Sequence, residues 1–373
     1  MEQKLKIYII AGEASGDLHG GNLMKALNKE RQDINFRYWG GDQMKMNGGV
    51  LVKHISDLAF MGFIEVLFNL KKIIHNLKFC KQDILDFKPD ALILIDYPGF
   101  NLRIAEWAHA QGIKVYYYIS PQVWAWKKSR VYKIKRCVDK MFVILPFEKE
   151  FYKQYDYDVD YVGNPLLDAV ETYRNQVNNV SFFEKHHLPN LPIIALLPGS
   201  RKQEIMRKLP VMLDALTDFQ GYQFIVACAP NLDDEEFVLY RNKGVRFIKG
   251  ATYDILANAE AALVTSGTAT LETALFNVPQ VVCYKSSKIS YFIAKRLVDI
   301  KFISLVNLIM DKEVVKELIQ KECTAENVRN ELLKIIVGGK KRDNILNDYN
   351  LLVEILGGEG ASKKVAQTLL KTI

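Results

Sequence analysis

With 373 residues, of which 49% are hydrophobic and 25% charged, the chain has the composition of an ordinary globular protein, which excludes intrinsic disorder. Its length exceeds what one hydrophobic core supports, so we expect two domains. A formal net charge of +7 admits an anionic partner, but the basic residues are scattered without interleaved aromatic side chains, so we expect no nucleic acid partner.

The cysteine pattern and the apolar runs indicate the compartment. Five cysteines are widely spaced, with no CxxC pair and no Cys/His cluster at metal-ligand spacing, which is typical of a reduced cytoplasm. The first residues enter a predicted strand without the features of a signal peptide, and no apolar run is long enough to span a bilayer. We therefore expect a cytoplasmic protein whose contact with a membrane is peripheral.

Between Lys6 and Pro165, short apolar runs alternate with longer amphipathic stretches, which predicts a parallel sheet covered by helices. The predicted strands are mainly apolar, as strands buried on both faces are. They cover residues 7–12, 34–40, 91–96, 115–120 and 141–146.

The same pattern restarts at Pro192, after a polar connection at about 166–191. Predicted strands cover 192–199, 224–230, 245–250, 261–267 and 279–285, and beyond about Ser304 the pattern is wholly helical. The sequence thus predicts an α/β protein with two doubly wound Rossmann-like domains that face a cleft, at 1–170 and 171–340. We expect C-terminal helices at 341–373 to pack back on the first domain or on a partner subunit.

Ligands of doubly wound sheets bind at the carboxyl ends of the strands, so the strand-to-helix turns are the candidate sites. The turn at 11–17 brings two glycines and a Ser/Asp pair to the start of a helix predicted near His19, where backbone amides favour phosphate or hydroxyl ligands. Simple helix capping by Ser15 and Asp17 explains this turn equally, and it lacks the GxGxxG spacing of dinucleotide folds.

The turn at 96–101 follows the run ALILI, which puts Asp96 at the carboxyl end of a strand. A carboxylate there could act as a general base, or it could stabilise the turn.

Two turns of the second half suit a diphosphate. In Leu197–Arg201, glycine and serine amides lie at a helix start beside the cation of Arg201. In Thr265–Glu272, small residues again open a helix, and Glu272 lies one helical turn from Thr268, where it could accept hydrogen bonds from ribose hydroxyls. Together with the carboxylate turn, these features indicate a nucleotide-sugar transferase.

Longer segments resemble lipid-A-disaccharide synthases over nearly the whole chain. The most specific segment is SPQVWAW at 120–126, which is followed by a Lys/Arg-rich helix. Further matching segments are AGEASGD, MGFIEVL, DYPGFN, VGNPLLD, LLPGSRKQEI, TSGTATLETAL, SYFIAKRLV and SLVNLI.

The resemblance implies a GT-B fold, inversion at the anomeric carbon, and no metal or other cofactor. It implies that UDP-2,3-diacylglucosamine donates its sugar to the 6-hydroxyl of 2,3-diacylglucosamine 1-phosphate, which gives the β-1,6-linked lipid A disaccharide and UDP. It also implies that the protein acts at the cytoplasmic face of the inner membrane, and it admits a homodimer that exchanges C-terminal helices.

The resemblance assigns roles to the residues of these turns. Relatives often carry a second acid at the position where this chain has Gly99. Because that acid is missing here, the resemblance implies that Asp96 is the catalytic base. The residues assigned to UDP are Gly199, Ser200, Arg201, Ser266, Gly267, Thr268, Glu272 and Asn307, and those assigned to the acceptor are Glu13, Ser15, Gly16 and Asp17.

Two further segments with charged residues each have a functional and a structural interpretation. Lys295 and Arg296 either contact phosphate or form a basic helix face in solvent. The segment Asp156–Tyr157–Asp158 has the spacing of a metal-binding DxD element, but it precedes a strand and is better explained as an acidic surface loop. We therefore expect no metal site.

The segment 60–74 has more apolar residues than one helix face can bury, and lysines follow it. Ile64 and Phe68 fall outside the stripe that packs on the sheet, beside Lys71 and Lys72, an arrangement that seats a helix in a bilayer interface. The alternative is a core helix with solvated lysines.

Other functions remain open from the sequence. A protein resembling UDP-N-acetylglucosamine 2-epimerase, or a transferase with another acceptor, would share the fold and differ in its products. A non-catalytic nucleotide-sugar-binding protein would need the phosphate turns but not Asp96.

Overall fold

Mainly apolar runs form two parallel sheets, as the alternation of apolar and amphipathic segments predicts. The computed structural model describes residues 4–58, 70–176, 181–217, 219–229, 237, 240, 244–287, 291, 292, 296 and 300–373. None of the helices in these ranges is long and apolar enough to cross a membrane.

The first sheet has seven parallel strands in the order β3-β2-β1-β4-β5-β6-β7. The strands are β1 (Leu5–Ala11), β2 (Ile34–Gly40), β3 (Val50–His54), β4 (Ala91–Ile95), β5 (Val115–Tyr118), β6 (Lys140–Val143) and β7 (Asp160–Tyr161). The helices that accompany them are α1 (Ala14–Glu30), α2 (Asp42–Lys45), α3 (Leu70–Phe87), α4 (Pro98–Ala110), α5 (Arg130–Cys137), α6 (Glu148–Lys153) and α7 (Pro165–Gln176), with a 3₁₀ turn at Ile55–Leu58.

The second sheet has six parallel strands in the order β10-β9-β8-β11-β12-β13. The strands are β8 (Ile193–Leu197), β9 (Gln223–Cys228), β10 (Arg246–Lys249), β11 (Ala259–Thr265), β12 (Gln280–Tyr284) and β13 (Lys316–Ile319). The helices after α7 are α8 (Phe182–Lys185), α9 (Lys202–Ala215), α10 (Thr252–Ala257), α11 (Thr268–Leu275), α12 (Leu305–Met310), α13 (Ala325–Leu332), α14 (Arg342–Ile355) and α15 (Ala361–Thr372).

The strand β1 shows why apolar runs predict these sheets. Successive side chains of a strand point to opposite faces, so Tyr8 and Ile10 enter one hydrophobic cluster while Ile7 and Ile9 enter another. Helices cover both clusters, which leaves these four side chains with no exposed surface. A strand has to be apolar along the stretch where neither of its faces meets water.

In each sheet the strand order reverses once, beside β1 and beside β8. In the first sheet, Leu23 of α1 packs in one cluster and Ile104 of α4 in the opposite one, so the helices that follow β1 and β4 lie on different faces. A reversal of this kind opens a crevice outside the carboxyl ends of the two strands, which is where ligands of doubly wound sheets bind.

The prediction of wholly helical structure after Ser304 is wrong at β13. The strand pairs with β12, with Val282 opposite Glu317 and Cys283 opposite Leu318. It has four residues and lies at the edge of the sheet, and a run this short has no periodicity that separates a strand from a helix. The edge strands β3 and β7 escaped prediction for the same reason.

The chain divides into two compact units, Met1–Asp168 with Gly358–Ile373, and Ala169–Gly357. The segment 341–373, predicted as one set of C-terminal helices, is therefore divided. Helix α14 belongs to the second unit and α15 to the first. The homodimer that would exchange such helices stays a prediction.

The helix α15 is held on the first unit by its apolar face and by one carboxylate. Val365 and Leu369 are fully buried in the cluster that contains Leu23 of α1. The Asp168 carboxylate accepts hydrogen bonds from the backbone N–H groups of Gly360 (2.6 Å) and Ser362 (3.1 Å). These donors lie at the start of the helix, where backbone N–H groups lack partners within the helix.

We expect Asp168→Ala to loosen α15, because a lost capping acceptor costs about 1 kcal/mol. Hydrogen exchange of the amides in Ala361–Thr372 should become about fivefold faster. Glu359→Ala, which removes an exposed carboxylate from the same turn, is the matched control and should leave exchange unchanged. Equal exchange rates in Asp168→Ala and the parent protein would show that packing alone holds the helix.

Candidate active site

Asp96 lies directly after β4, at the reversal of strand order in the first sheet. Asp96 and Tyr97 both have left-handed backbone angles, with φ of 43° and 48°, which costs free energy in residues other than glycine. Buried side chains hold this turn in place. The Asn101 amide donates to the Asp96 carbonyl oxygen at 2.8 Å, and the Tyr117 hydroxyl donates to the same oxygen at 2.6 Å.

The carboxyl group of Asp96 has an unusually high pKa. Burial and, to a smaller extent, the negative charge of Glu13 raise the pKa of Asp96 to about 7, against the opposing effect of a hydrogen bond from the Tyr97 backbone N–H. Glu13 comes from the turn after β1, the neighbouring strand. The two predicted turns therefore meet at this edge of the sheet, and their two carboxyl groups face a common region.

A glycine is required where these turns meet. A Cβ atom at Gly12 would collide with the ring of Tyr97, so the ring packs directly over the backbone of the first turn. This contact brings Glu13 within electrostatic range of Asp96.

The first turn differs from its predicted form in the start of its helix and in the role of Asp17. The helix begins at Ala14, with Glu13 as its N-cap residue, rather than near His19. Asp17 is buried, and its carboxylate accepts from the backbone N–H groups of Gly41 (2.6 Å) and Met44 (3.1 Å), and of Gln43 at 3.0 Å.

Asp17 thus caps the short helix α2, which is distant from it in sequence, and this explains its presence without a ligand. In the same turn, Ser15 is half-buried, and Gly16 packs so closely on β1 that an added Cβ atom would lie 3.3 Å from the Cβ atom of Ala11. The assignment of these residues to the acceptor stays a prediction.

The two phosphate-suited turns of the second unit follow neighbouring strands. Leu197 at the end of β8 lies opposite Val264 in β11, so the turns that follow these strands start at the same sheet edge. Gly199 has φ of +123°, and a Cβ atom there would collide with the Glu204 carboxylate. Only glycine fits this position, and the turn approaches the start of α9 closely.

A buried lysine connects these two turns, and sequence reasoning did not find it. Lys208 is 3% exposed, and its ammonium group donates to the hydroxyl of Thr265 at the end of β11 and lies 3.8 Å from Oε2 of Glu204. Burial lowers the pKa of Lys208, and the charge of Glu204 opposes that shift. Arg201, whose side chain is 49% exposed, approaches Oε1 of Glu204 at 3.6 Å.

The signal for Lys208 is present in the sequence. It falls on the buried face of α9, in helical register with Ile205, Leu209 and Met212. A lysine at an apolar position of an amphipathic helix is buried only with partners for its charge.

The turn after β11 exposes Gly267 and Thr268 at the start of α11. Gly267 has φ of +127° and open space around it. The Ser266 hydroxyl donates to the carbonyl oxygen of Ile303 at 2.7 Å, which fixes the turn to the segment before α12. The turn has the form that suits phosphate, and the hydroxyl of Ser266 is already used.

Glu272 is anchored by a tyrosine. The Tyr253 hydroxyl donates to Oε1 of Glu272 at 2.9 Å. Burial raises the pKa of Glu272, and this hydrogen bond opposes the shift. Tyr253 also packs against the rings of Tyr173 and Phe276, so the carboxyl group is held in one orientation. The sequence contains no short-range signal for Tyr253, because it is 19 residues from Glu272.

Asn307 is fully buried, and its amide is saturated within the second unit. Its nitrogen donates to the Val315 carbonyl oxygen and to Oε1 of Glu317, both at 2.9 Å. Its oxygen accepts from the backbone N–H groups of Val314 at 2.8 Å and Val315 at 3.0 Å. Two donors and two acceptors are all that an amide offers. In this conformation Asn307 shapes the chain around β13, and its contact with UDP stays a prediction.

The remaining predicted residues lie elsewhere or outside the described part of the chain. Lys71 and Lys72 are exposed on α3, and the Arg296 guanidinium lies 4.3 Å from the centre of the Phe292 ring. Ile64, Phe68 and Lys295 lie outside the described residues. Among the residues that are described, no group of three or more His, Cys, Asp or Glu side chains is arranged to hold a metal ion.

Solved structures with the same fold include enzymes that act on nucleotide sugars. UDP-GlcNAc 2-epimerase from Neisseria meningitidis, bound to UDP-GlcNAc, matches 98% of this chain and 100% of its own with a TM-score of 0.71 and 13% identity. The glycotransferase of kitacinnamycin matches 99% of both chains with a TM-score of 0.65 and 11% identity. Identities this low establish the fold alone.

Sequence comparison is far more specific. The family model described as lipid-A-disaccharide synthetase matches residues 7–372. The lipid-A-disaccharide synthase of Syntrophus aciditrophicus is 43% identical over 381 residues, which cover 100% of this chain and 99% of that protein. The enzyme of the same name from Myxococcus xanthus is 37% identical over 99% of this chain and 97% of its own. The chain belongs to the lipid-A-disaccharide synthase family of glycosyltransferases.

Proposed function

We propose that this enzyme transfers 2,3-diacylglucosamine from UDP to the 6-hydroxyl of 2,3-diacylglucosamine 1-phosphate, with inversion. The acceptor oxygen bonds to the anomeric carbon, the bond from that carbon to the UDP oxygen breaks, and the hydroxyl proton passes to a base. The observation that carries the proposal is the carboxyl group of Asp96, which is fixed at the reversal of strand order and has a pKa of about 7 in a chain of this family.

Asp96 suits the role of that base in position and in pKa. Asn101 and Tyr117 fix its turn through hydrogen bonds to the backbone carbonyl oxygen of Asp96, and not to its carboxyl group. A base with a pKa near the working pH is substantially ionised and still accepts a proton readily. We infer that the acceptor hydroxyl lies within hydrogen-bond distance of this carboxyl group.

The second unit supplies what a diphosphate leaving group requires. Two turns with exposed backbone start helices at the same sheet edge, and Arg201 and Lys208 bring positive charge to them. Amides and cations that are already in place stabilise negative charge that develops as the bond to UDP breaks. We assign the ribose hydroxyls to Glu272, whose carboxyl group Tyr253 orients.

Asp96→Asn keeps the size of the side chain and removes the base. We expect turnover to fall by about a hundredfold or more, with UDP affinity nearly unchanged. The measurement is disaccharide and UDP formation from both diacylglucosamine substrates, with Asp86→Asn as a control on an exposed acid of the same unit. Turnover in Asp96→Asn close to that of the parent enzyme would remove Asp96 from the mechanism. Release of an epimerised sugar in place of disaccharide would favour an epimerase.

The pH dependence of turnover tests the contact between Glu13 and Asp96. A base must be ionised, so activity should rise with pH through about pH 7 and level off above it. Because the charge of Glu13 raises the pKa of Asp96, Glu13→Gln should move the midpoint of this rise to lower pH, by about half a unit to one unit. An unchanged midpoint would show that another group controls the profile.

The cations of the second unit should make a divalent ion unnecessary for UDP departure. We expect turnover to survive excess EDTA, and Arg201→Gln to weaken UDP binding by about tenfold or more. Lys202→Gln, which removes an exposed charge one residue further on, is the control. Loss of activity in EDTA with recovery on adding magnesium or manganese would contradict the proposal.

We propose that α3 brings the enzyme to the cytoplasmic face of the inner membrane, where lipid substrates reside. Its exposed surface combines Lys71, Lys72 and Lys78 with Ile74 and Phe79, which are 46% and 43% exposed. Lysines beside exposed apolar side chains favour a bilayer interface, with about 1 kcal/mol for each lysine on anionic lipid.

The combined variant Lys71→Gln, Lys78→Gln and Ile74→Ser should sediment less with liposomes that contain anionic lipid. Its melting temperature should barely change, because these side chains are exposed. A variant with Lys25→Gln and Lys29→Gln on α1 controls for net charge. An unchanged liposome-bound fraction would mean that another surface meets the lipid.

A further inference from the structure

A tryptophan in the first unit collects two positive charges. The Lys127 ammonium group lies 4.8 Å from the centre of the Trp126 ring, and the Arg130 guanidinium lies 5.0 Å from it. Trp126 lies in the segment that connects β5 to α5, and its indole is half-buried. A cation over the face of such a ring is stabilised by about 0.5–1 kcal/mol or more. This contact holds both cations in place without neutralising them.

A third cation comes from the neighbouring helix. Arg103 of α4 donates to the Gly99 carbonyl oxygen, and its charge reaches Arg130. Burial lowers the pKa of Arg130, and the positive charge of Arg103 lowers it further. Helices α4 and α5 pack against each other and are joined by the Lys133–Glu106 ion pair, so the two guanidinium groups lie on adjoining helices and repel each other.

The other basic residues of α5 differ, because they have partners. Lys133 pairs with Glu106 at 2.7 Å, and Lys135 donates to the Tyr155 carbonyl oxygen at 3.0 Å. We call Arg103, Lys127 and Arg130 the phosphate-site cations. Within the described ranges, none of these three side chains forms an ion pair with a carboxylate. Positive charges that converge without an acid are arranged for an anion from outside the protein.

The phosphate-site cations lie beside the candidate base. The hydroxyl of Tyr117 donates to the Asp96 carbonyl oxygen, and the same tyrosine interacts electrostatically with Arg130. Arg103 belongs to the helix that begins two residues after Asp96. The anion they would bind therefore lies close to the group that takes the proton.

We propose that Arg103, Lys127 and Arg130 bind the phosphate of the acceptor sugar while Asp96 receives the proton of its 6-hydroxyl. This proposal rests on the proposed function. In a sugar 1-phosphate, the carbons that bear the phosphate and the 6-hydroxymethyl group flank the ring oxygen. One sugar can therefore place its phosphate at the cations and its 6-hydroxyl at Asp96. The monoester has a charge of about −1.5 to −2 near pH 7, and guanidinium groups bind its oxygens in pairs.

The test crosses a change in the protein with a change in the substrate. The double variant Arg103→Gln and Arg130→Gln should lower kcat/KM for the phosphorylated acceptor by about a hundredfold, mainly through KM, and leave KM for the UDP donor unchanged. With 2,3-diacylglucosamine that lacks the phosphate, the same variant should lose less than about threefold. Arg130→Lys should recover part of the loss.

Arg136→Gln is the matched control, because it removes an exposed charge from the same helix on the side near Glu106. It should leave kcat/KM unchanged for both acceptors. Short-chain acceptors in the absence of any bilayer separate the substrate phosphate from lipid headgroups. Equal losses with both acceptors would overturn the proposal, as would a loss that occurs only on anionic liposomes.

The proposed function can fail separately, if the parent enzyme forms no disaccharide from either acceptor. Calorimetric titration with glucosamine 1-phosphate then decides the phosphate site by itself. Binding to the parent enzyme that is lost in the double variant would support the site, and binding that persists, or is absent from both, would overturn it. Thermal melting of the double variant checks that it is folded.

Discussion

Helices that leave β1 and β4 pack on opposite faces of the first sheet, and every candidate group of that unit depends on this divergence. It opens the carboxyl ends of the two strands, so Glu13 and Asp96 lie at one edge although they are far apart in sequence. The second sheet repeats the arrangement at β8 and β11, where the turns at Gly199 and Gly267 adjoin. In each sheet, the two turns follow the two strands between which the strand order reverses.

Much of this architecture can be predicted from the sequence, because strands buried on both faces are apolar at every residue. The run ALILI in β4 is an example, with all five residues buried. Edge strands cannot be predicted in this way. In β13, Lys316 and Glu317 interrupt the apolar pattern. The buried Glu317 carboxylate is explained by the hydrogen bonds that it accepts from the N–H groups of Ile303 and Ser304 and from the Asn307 amide. Those partners become visible once the chain is folded.

The candidate site likewise has features that the sequence predicts and features that only the folded chain shows. Turns that join a buried strand to a helix are visible as small residues and acids, and each of the four turns predicted from the sequence does join a strand to a helix. Whether a polar atom in such a turn is available to a ligand depends on contacts that are distant in sequence. The carboxylate of Asp17 is used by the loop at 41–44, and Lys208 joins two turns from within a helix face that should be apolar.

The number of hydrogen bonds that each carboxylate accepts distinguishes these acids further. Asp17 accepts three backbone N–H groups, which stabilise it as an acceptor and make it part of the scaffold. Glu272 accepts a tyrosine hydroxyl on one oxygen, which sets the orientation of the carboxyl group that we assign to the ribose. Asp96 accepts one N–H group, from Tyr97, against burial and the charge of Glu13. A carboxylate whose negative charge is stabilised by so few donors binds a proton more tightly than a carboxylate in water does. In the proposed reaction, the same property favours transfer of the hydroxyl proton to Asp96. The scarcity of donors to the Asp96 carboxylate is therefore the property that suits it to the proposed role of base, because further donors would lower its pKa.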